Sequence, residues 1–219
     1  GNSRLCIAER QHAGRGRRGR VWQSRPGASI TFSAARVFEA APAALAPLGL
    51  AVGVGLAREL AAAGVAGVGL KWPNDLVAGG AKLGGVLIEL RWEAAGAARV
   101  TVGVGINYAQ SGPCPAGERT DLHCLAGAAL PARSWLAGRL MAATVASMAR
   151  FADHGFEAFR AQWERLDVLC GRPVRAWIGT ETANGTARGV AADGALLIDT
   201  AEGRRRLHGG DVSIRAEHA

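Results

Sequence analysis

The chain has 219 residues, room for one large domain or for a medium domain with a small one, and its 49% hydrophobic and 20% charged content is ordinary for a globular protein. No apolar run reaches the length of a membrane span and the start "GNSRLCIAER" has no signal-peptide core, so no membrane association is expected and the cytoplasm is the expected location. A net charge of +8 raises nucleic acid as a partner, but only two of the 26 cationic residues are lysine, and with abundant alanine and glycine this looks like a general preference for arginine.

Residues 5–9, "LCIAE", predict a short strand. The next stretch, "AGRGRRGRVW", packs four arginines and three glycines into residues 14–20. Gly14 to Gly19 spell G-x-G-x-x-G, but a dinucleotide fingerprint needs a helix opening at its third glycine. The following "RVWQSRPGAS" has no helical stripe and carries a Pro-Gly turn signal, so that reading is set aside.

Residues 28–38 alternate as a strand, and 41–64 place Leu45, Leu48, Val52, Leu56 and Leu60 on one helical face with Gly64 as a stop. "GVGLKW" at 67–72 predicts a short strand ended by the turn "PND". "KLGGVLIELRW" at 82–92 and "ARVTVGVGINY" at 98–108 predict longer strands joined as a hairpin through 93–97. Residues 109–131 read mainly as loop. A helix is predicted from Ser134, as N-cap, to about Asp153, and a second over 155–166, with Phe159 and Trp163 in the core.

After Gly171 short β runs are punctuated by Asn-Gly, Asp-Gly and Glu-Gly pairs about every ten residues, which indicates a small five-stranded barrel or sandwich docked on the first domain. Cys6, Cys114, Cys124 and Cys170 are scattered without a C-x-x-C pair, and reduced structural thiols are expected. The dispersed histidines, His12, His123, His154, His208 and His218, suggest surface or structural roles. "RRR" at 204–206 reads as a solvated strand edge, with a partner-facing role as the alternative.

Fixing a glycine-rich backbone costs roughly 1–2 kcal/mol per residue, so ordering seven such residues costs on the order of 7–14 kcal/mol, before repulsion among four like charges. The arginine loop is therefore expected to be mobile until an anion holds it. Charge-assisted hydrogen bonds of about 1.5–3 kcal/mol each would roughly offset that cost if several arginines clasp one phosphate. On charge alone a solvated basic loop or a nucleic-acid contact is the better explanation.

Both lysines, Lys71 and Lys82, fall within the twelve residues "KWPNDLVAGGAK". In a chain that otherwise uses arginine, this suggests positions where a compact ammonium is required. Asn74 and Asp75 lie in a turn at a strand end and Lys82 starts the next strand, so two cations, an amide and a carboxylate converge at a hairpin mouth. "PND" alone would read as a plain turn, and Gly84 and Gly85 as a bulge, though they also let a flat ligand lie against the backbone.

Taken in order, "AERQHAGRGRRGRVW", "KWPNDL", "KLGGVLIEL" and "VGVGINY", followed by a small β domain, resemble the biotin protein ligases, the biotin–[acetyl-CoA-carboxylase] ligases, over about Leu5 to Arg215. The resemblance implies an α+β fold. Residues 1–168 would form a catalytic domain like those of class II aminoacyl-tRNA synthetases and biotin synthetases, with a mixed sheet, and 171–219 an SH3-like β-barrel. It implies ATP-dependent biotinylation of one lysine on a biotin carboxyl carrier protein domain of acetyl-CoA carboxylase, through biotinyl-5′-adenylate, with ATP and Mg²⁺ required and biotin as substrate.

Carried over by motif, Gln11, Gly14, Arg15, Arg17 and Trp22 would line biotin and the adenylate, and Arg18 and Arg20 would help the loop order over phosphate. Gly85 would pack against biotin. Lys82 would bond the carboxylate and then stabilise charge developing between it and phosphorus, with Arg17 as a second catalytic cation. Lys71, Asn74 and Asp75 belong to the same site. Asp75 would hold Mg²⁺ or orient the incoming amine, since a carboxylate with a pKa near 3.9 is a poor base for an ammonium near 10.4. Asn107 would serve the nucleotide or merely end a strand.

Family members also carry a Ser/Thr-Asn segment upstream, bonding biotin's ureido ring. The chain given starts ten residues before Gln11 without it, so a missing N-terminal segment is expected. The helix-turn-helix of the bifunctional ligase-repressors is absent from this sequence, so DNA binding is not expected; a homodimer is compatible with the family. Two alternatives stand beside this reading, a lipoate ligase-like adenylating enzyme and a basic nucleic-acid-binding module. The full arginine loop followed by Trp22 favours biotin.

Overall fold

Strict alternation builds the central sheet and decides which face is dry. The computed structural model describes residues 3–23, 25–92, 97–110, 118–209 and 212–216. Along the chain these form β1 (Arg4–Ile7), β2 (Ser29–Phe38), α1 (Pro42–Leu45), α2 (Leu48–Ala62), β3 (Val68–Lys71), β4 (Asp75–Ala78), β5 (Ala81–Trp92) and β6 (Ala98–Asn107). There follow α3 (Leu122–Ala126), α4 (Arg133–His154), α5 (Glu157–Leu166), β7 (Pro173–Ile178), β8 (Glu181–Val190), β9 (Leu196–Thr200), β10 (Gly203–Leu207) and β11 (Val212–Ala216).

The first six strands make one sheet in the order β1-β2-β6-β5-β4-β3, with antiparallel ladders. Parallel pairing enters through the isolated bridges Leu70–Asp167 and Lys82–Arg119. Register places Ile30 opposite Ile106, Phe32 opposite Val104 and Val86 opposite Val104, so these buried side chains share one face. Helices α2 and α4 pack on the sheet, with α5 against α2 and β3. The other parity, Thr31 and Ser33 with Gly103, Gly105, Gly85 and Leu87, forms the opposite face.

Helix α2 lies in the middle of the core, with Leu48, Val52, Leu56 and Leu60 fully buried. Its glycines serve close approach: a Cβ on Gly55 would lie 2.1 Å from Ser147 Oγ of α4. Gly64 (φ +85°) ends the helix, where the Val65 N–H donates to the Leu60 carbonyl and the Gly64 N–H to Ala61, the Schellman pattern.

Several expectations need correcting. The single helix over 41–64 is two, because Pro47 has no N–H to continue the ladder and instead becomes the N-cap of α2. Residues 43–62 are long and apolar enough to cross a membrane by length and composition, contrary to the first reading, but two-thirds of that stretch (67%) is buried inside the protein. The turn after 67–72 leads into β4, which was not foreseen. The stretch 109–131 contains α3, capped by the Asp121 carboxylate, which accepts from the Cys124 N–H at 2.8 Å. Ser134 is not a cap; α4 starts one residue earlier, after Ala132. Cys124 is disulfide-bonded, whereas Cys6 and Cys170 are free. Cys114, His218 and residues 93–96 and 111–117 lie outside the described residues.

Strands β7–β11 form a five-stranded antiparallel sheet in the order β10-β9-β8-β7-β11, as the turn spacing implied. Arg204 and Arg188 pair with Asp199, and Arg206 with Asp193, so two cations of the "RRR" run answer carboxylates of the same sheet.

Candidate active site

A one-residue slip in a ladder positions Lys82. Asp75 pairs with Gly85 and Leu76 with Gly84, but Val77 pairs with Lys82, leaving Leu83 as the extra residue of a β-bulge. Leu83 is fully buried. Without the bulge, alternation from Gly85 would put Lys82 on the helix-covered face. With it, Lys82 Nζ reaches Asp75 Oδ1 at 2.5 Å and lies 3.6 Å from where a Gly85 Cβ would stand. Both side chains are partly exposed, at 38% and 24%. Lys71 stands opposite Asp75 in the β3–β4 ladder.

Backbone bonds lock the strand ends around this pair. The Asn74 side-chain amide donates to the Val86 carbonyl at 3.0 Å, and the Val86 N–H donates back to Asn74 at 2.9 Å. Segment 118–120 runs beside Lys82: its N–H donates to Glu118 at 2.8 Å, and its carbonyl accepts from Thr120 at 2.9 Å. Asn107, buried at the end of β6, donates to the Thr120 carbonyl at 2.9 Å, so its amide braces that segment.

The arginine stretch folds into a small hairpin. The Trp22 N–H donates to the Gly14 carbonyl at 2.9 Å and the Gly16 N–H to Arg20 at 2.7 Å, with Arg15 and Val21 bridged between them. A 3₁₀ turn at Arg17–Gly19 makes the tip, with Arg18 in the left-handed region (φ +58°). The loop thus supplies some backbone bonds of its own, which sequence reasoning did not credit. A Cβ on Gly14 would meet the Trp22 carbonyl at 2.4 Å and Gln11 Oε1 at 3.1 Å, so only glycine fits there.

Two arginines tie this hairpin to the sheet. Arg17 Nη1 donates to Asn74 Oδ1 at 3.4 Å, and Arg15 pairs with Glu89 of β5 at 3.0 Å. The Trp22 ring lies directly on Gly105 of β6: a Cβ there would stand 2.5 Å from the indole carbons. The indole N–H of Trp22 is buried without a hydrogen-bond partner, a donor that a ligand atom can satisfy. Arg18 and Arg20 are exposed at the tip and return strand.

The structure therefore brings Arg15, Arg17, Trp22, Asn74, Asp75, Lys82 and Gly85 to one face of the sheet, with Gln11 and Gly14 at the base of the hairpin. Glu89 and Gly105 were missed. Their signal was parity, since Gly103 and Gly105 stand two apart on the face of Gly85. Asp75 is a poor fit for an ion cage, its Oδ1 being taken by an ammonium, and among the described residues no group of three or more His, Cys, Asp and Glu could hold a metal.

Residues 1–107 match the biotin/lipoate A/B protein ligase family, and residues 169–215 match the biotin protein ligase C-terminal domain. Over 212 residues the chain is 36% identical to the bifunctional ligase/repressor BirA of Escherichia coli, covering 96% of this chain and 66% of that one, so it spans somewhat less than two-thirds of that relative. It is 30% identical to the biotin–[acetyl-CoA-carboxylase] ligase of Paracoccus denitrificans, covering 96% of this chain and 90% of that protein. The structure of the Aquifex aeolicus biotin protein ligase in complex with biotin and ATP superposes with a TM-score of 0.81 at 27% identity, covering 97% of this chain and 89% of that one. With an arginine hairpin over a glycine-rich sheet face and a relative matched along nine-tenths of its length, the chain belongs to the biotin protein ligase family.

Proposed function

We propose that this protein is an ATP-dependent ligase that attaches biotin to a lysine of a biotin carboxyl carrier domain; its Paracoccus relative is named a biotin–[acetyl-CoA-carboxylase] ligase. In the first step a carboxylate oxygen of biotin attacks the α-phosphorus of ATP and pyrophosphate leaves. In the second the carrier's lysine amine attacks the acyl carbon, the C–O bond to AMP breaks, and an amide forms.

The observation that carries this reading is the Lys82–Asp75 pair beside Gly85, on the sheet face that the arginine hairpin overhangs. Lys82 would neutralise the attacking carboxylate and the charge growing toward phosphorus, a preorganised cation acting where closure excludes water. Arg15, Arg17, Arg18 and Arg20 would clasp phosphate, and Gln11, Gly14 and Trp22 would line the acid. Arg17, already on Asn74, would couple hairpin closure to the strand that holds Asp75. Lys71 would add positive potential opposite Asp75, and Asn107 would support Lys82 through segment 118–120.

Asp75 faces an ammonium, which favours a role in aiming Lys82. Mg²⁺ would then arrive with the triphosphate, whose oxygens and waters are its ordinary ligands. Residues 1–168 would carry out adenylation and 171–219 would form the accessory β domain, with the cytoplasm as the site of action. Incubation with biotin, ATP and Mg²⁺ should release pyrophosphate and leave biotinyl-adenylate on the protein. Adding a carrier domain should discharge it; release with lipoate but not biotin would overturn the assignment.

A further inference from the structure

Three residues before Asp75, the chain is gripped from the C-terminal sheet. Trp72 is almost fully buried, and its indole N–H donates to the Gly194 carbonyl at 3.0 Å, across 122 residues of sequence. Gly194 sits in the β8–β9 turn, closed by its own N–H to Ala191 and by the Ala191 N–H to Ala195. That turn is seated tightly: Gly194 has φ +79°, and a Cβ on it would lie 2.8 Å from Pro47 Cβ at the start of α2. The segment at Gly209 approaches as well: a Cβ there would stand 3.5 Å from Pro73 Cβ, 3.9 Å from Arg17 Nη2 and 4.0 Å from Trp72 Cζ2.

Trp72 and Pro73 lead straight into Asn74, which accepts from Arg17, and Asp75, which holds Lys82. We propose that Trp72 is a positioning residue for adenylate formation: through its bond to Gly194, the C-terminal sheet fixes the turn that aims Asn74 and Asp75. The inference rests on the assignment of Lys82 and Asp75 to the active site. Trp72 itself touches no reacting atom; a buried indole tied to Gly194 converts the seating of one sheet into the height of a turn in the other. Misplacing a catalytic group by about 1 Å can cost about 10²-fold, so a small tilt of this turn is enough to be read in the rate.

The test uses the full chain and single-turnover formation of biotinyl-adenylate. Trp72→Phe keeps an aromatic ring but removes the donor, and Gly209→Val crowds Pro73 and the edge of the Trp72 ring, whose Cζ2 would lie 4.0 Å from the new Cβ. Each should lower the rate at saturating biotin and ATP by about tenfold, with KM for biotin within about twofold, measured well below the melting temperature. Combined with Asp75→Asn, Trp72→Phe should add little further loss, because both act on the aim of Lys82. A Trp72→Phe protein that melts earlier yet keeps the wild-type rate, or losses that multiply fully with Asp75→Asn, would show a purely structural bond and overturn the proposal. If Trp72→Phe does not fold, the same outcomes apply to Gly209→Val. A wild-type protein that forms no adenylate, or a fully active Lys82→Ala, would instead refute the site assignment.

Discussion

Lys82 Nζ and Asp75 Oδ1 meet at 2.5 Å across a ladder whose register slips by one residue. The pair is partly exposed, and such pairs contribute only about 0–1 kcal/mol to stability; in the proposed function its value would lie in aiming the ammonium. Lys82→Ala should slow adenylate formation by about 10²–10³-fold while leaving ATP affinity within a few-fold, as expected for a donor used mainly in the transition state. Rapid-quench measurement of adenylate beside equilibrium nucleotide binding checks it; an unchanged rate would refute the role.

Gly85 and Gly84 are neighbours with opposite consequences. A Cβ on Gly85 would make ordinary contacts of 3.4–3.6 Å with Asn74, Asp75 and Lys82, so Gly85→Ala should fold and melt like the wild type. It would occupy ligand space, and the KM for biotin should rise about tenfold or more. A Cβ on Gly84 would strike the Gly105 carbonyl at 2.5 Å, and Gly84→Ala should destabilise by about 1–3 kcal/mol. Thermal melts with steady-state kinetics separate the two.

The arginine hairpin has few backbone bonds for its length, and its cations repel. Amide hydrogen exchange at residues 14–20 should slow by at least about tenfold when biotin and ATP are both present, and much less with either alone. Equal protection in the empty protein would mean that the hairpin does not close on ligand.

Burial pushes the Asp167 carboxyl above its usual range, against the Leu169 and Cys170 N–H groups that favour the charge, and its Oδ2 is buried without a hydrogen-bond partner. Between the unfolded pKa near 3.9 and the higher folded value, the folded state holds the extra proton. This group therefore favours folding most below about pH 4, and loses that contribution as pH rises through its folded value. Asp167→Asn keeps the acceptor for the Leu169 N–H, bonded at 2.9 Å, and removes the charge. Its melting temperature relative to wild type should be higher at pH 7 than at pH 4. The opposite slope would exclude a raised pKa.

Much of the fold was legible because its signal is local. Strands 28–38, 82–92 and 98–108 and the helices near 134–153 and 155–166 show themselves by period, and the turns of the C-terminal sheet by their glycines. What escaped needed partners distant in sequence. Strand β4 is four residues long and carries no alternation of its own; it exists because β3 and β5 flank it. Helix α3 hangs on one aspartate cap. The candidate site residues were proposed by motif, but their contacts with one another were not legible: Arg15 meets Glu89 only after the hairpin folds over β5, and Lys82 reaches Asp75 only through a bulge that "KLGG" hints at without giving its direction.

Gly85, Gly103 and Gly105 make a floor of bare backbone, and such a floor can be raised by mutation but never lowered. Every amino-acid substitution at those positions adds atoms. In the proposed function, room for a bulkier acid in an engineered variant would therefore have to come from the ceiling, by trimming Trp22 or re-hanging the hairpin that carries it, and substitution at these three glycines could only narrow the space.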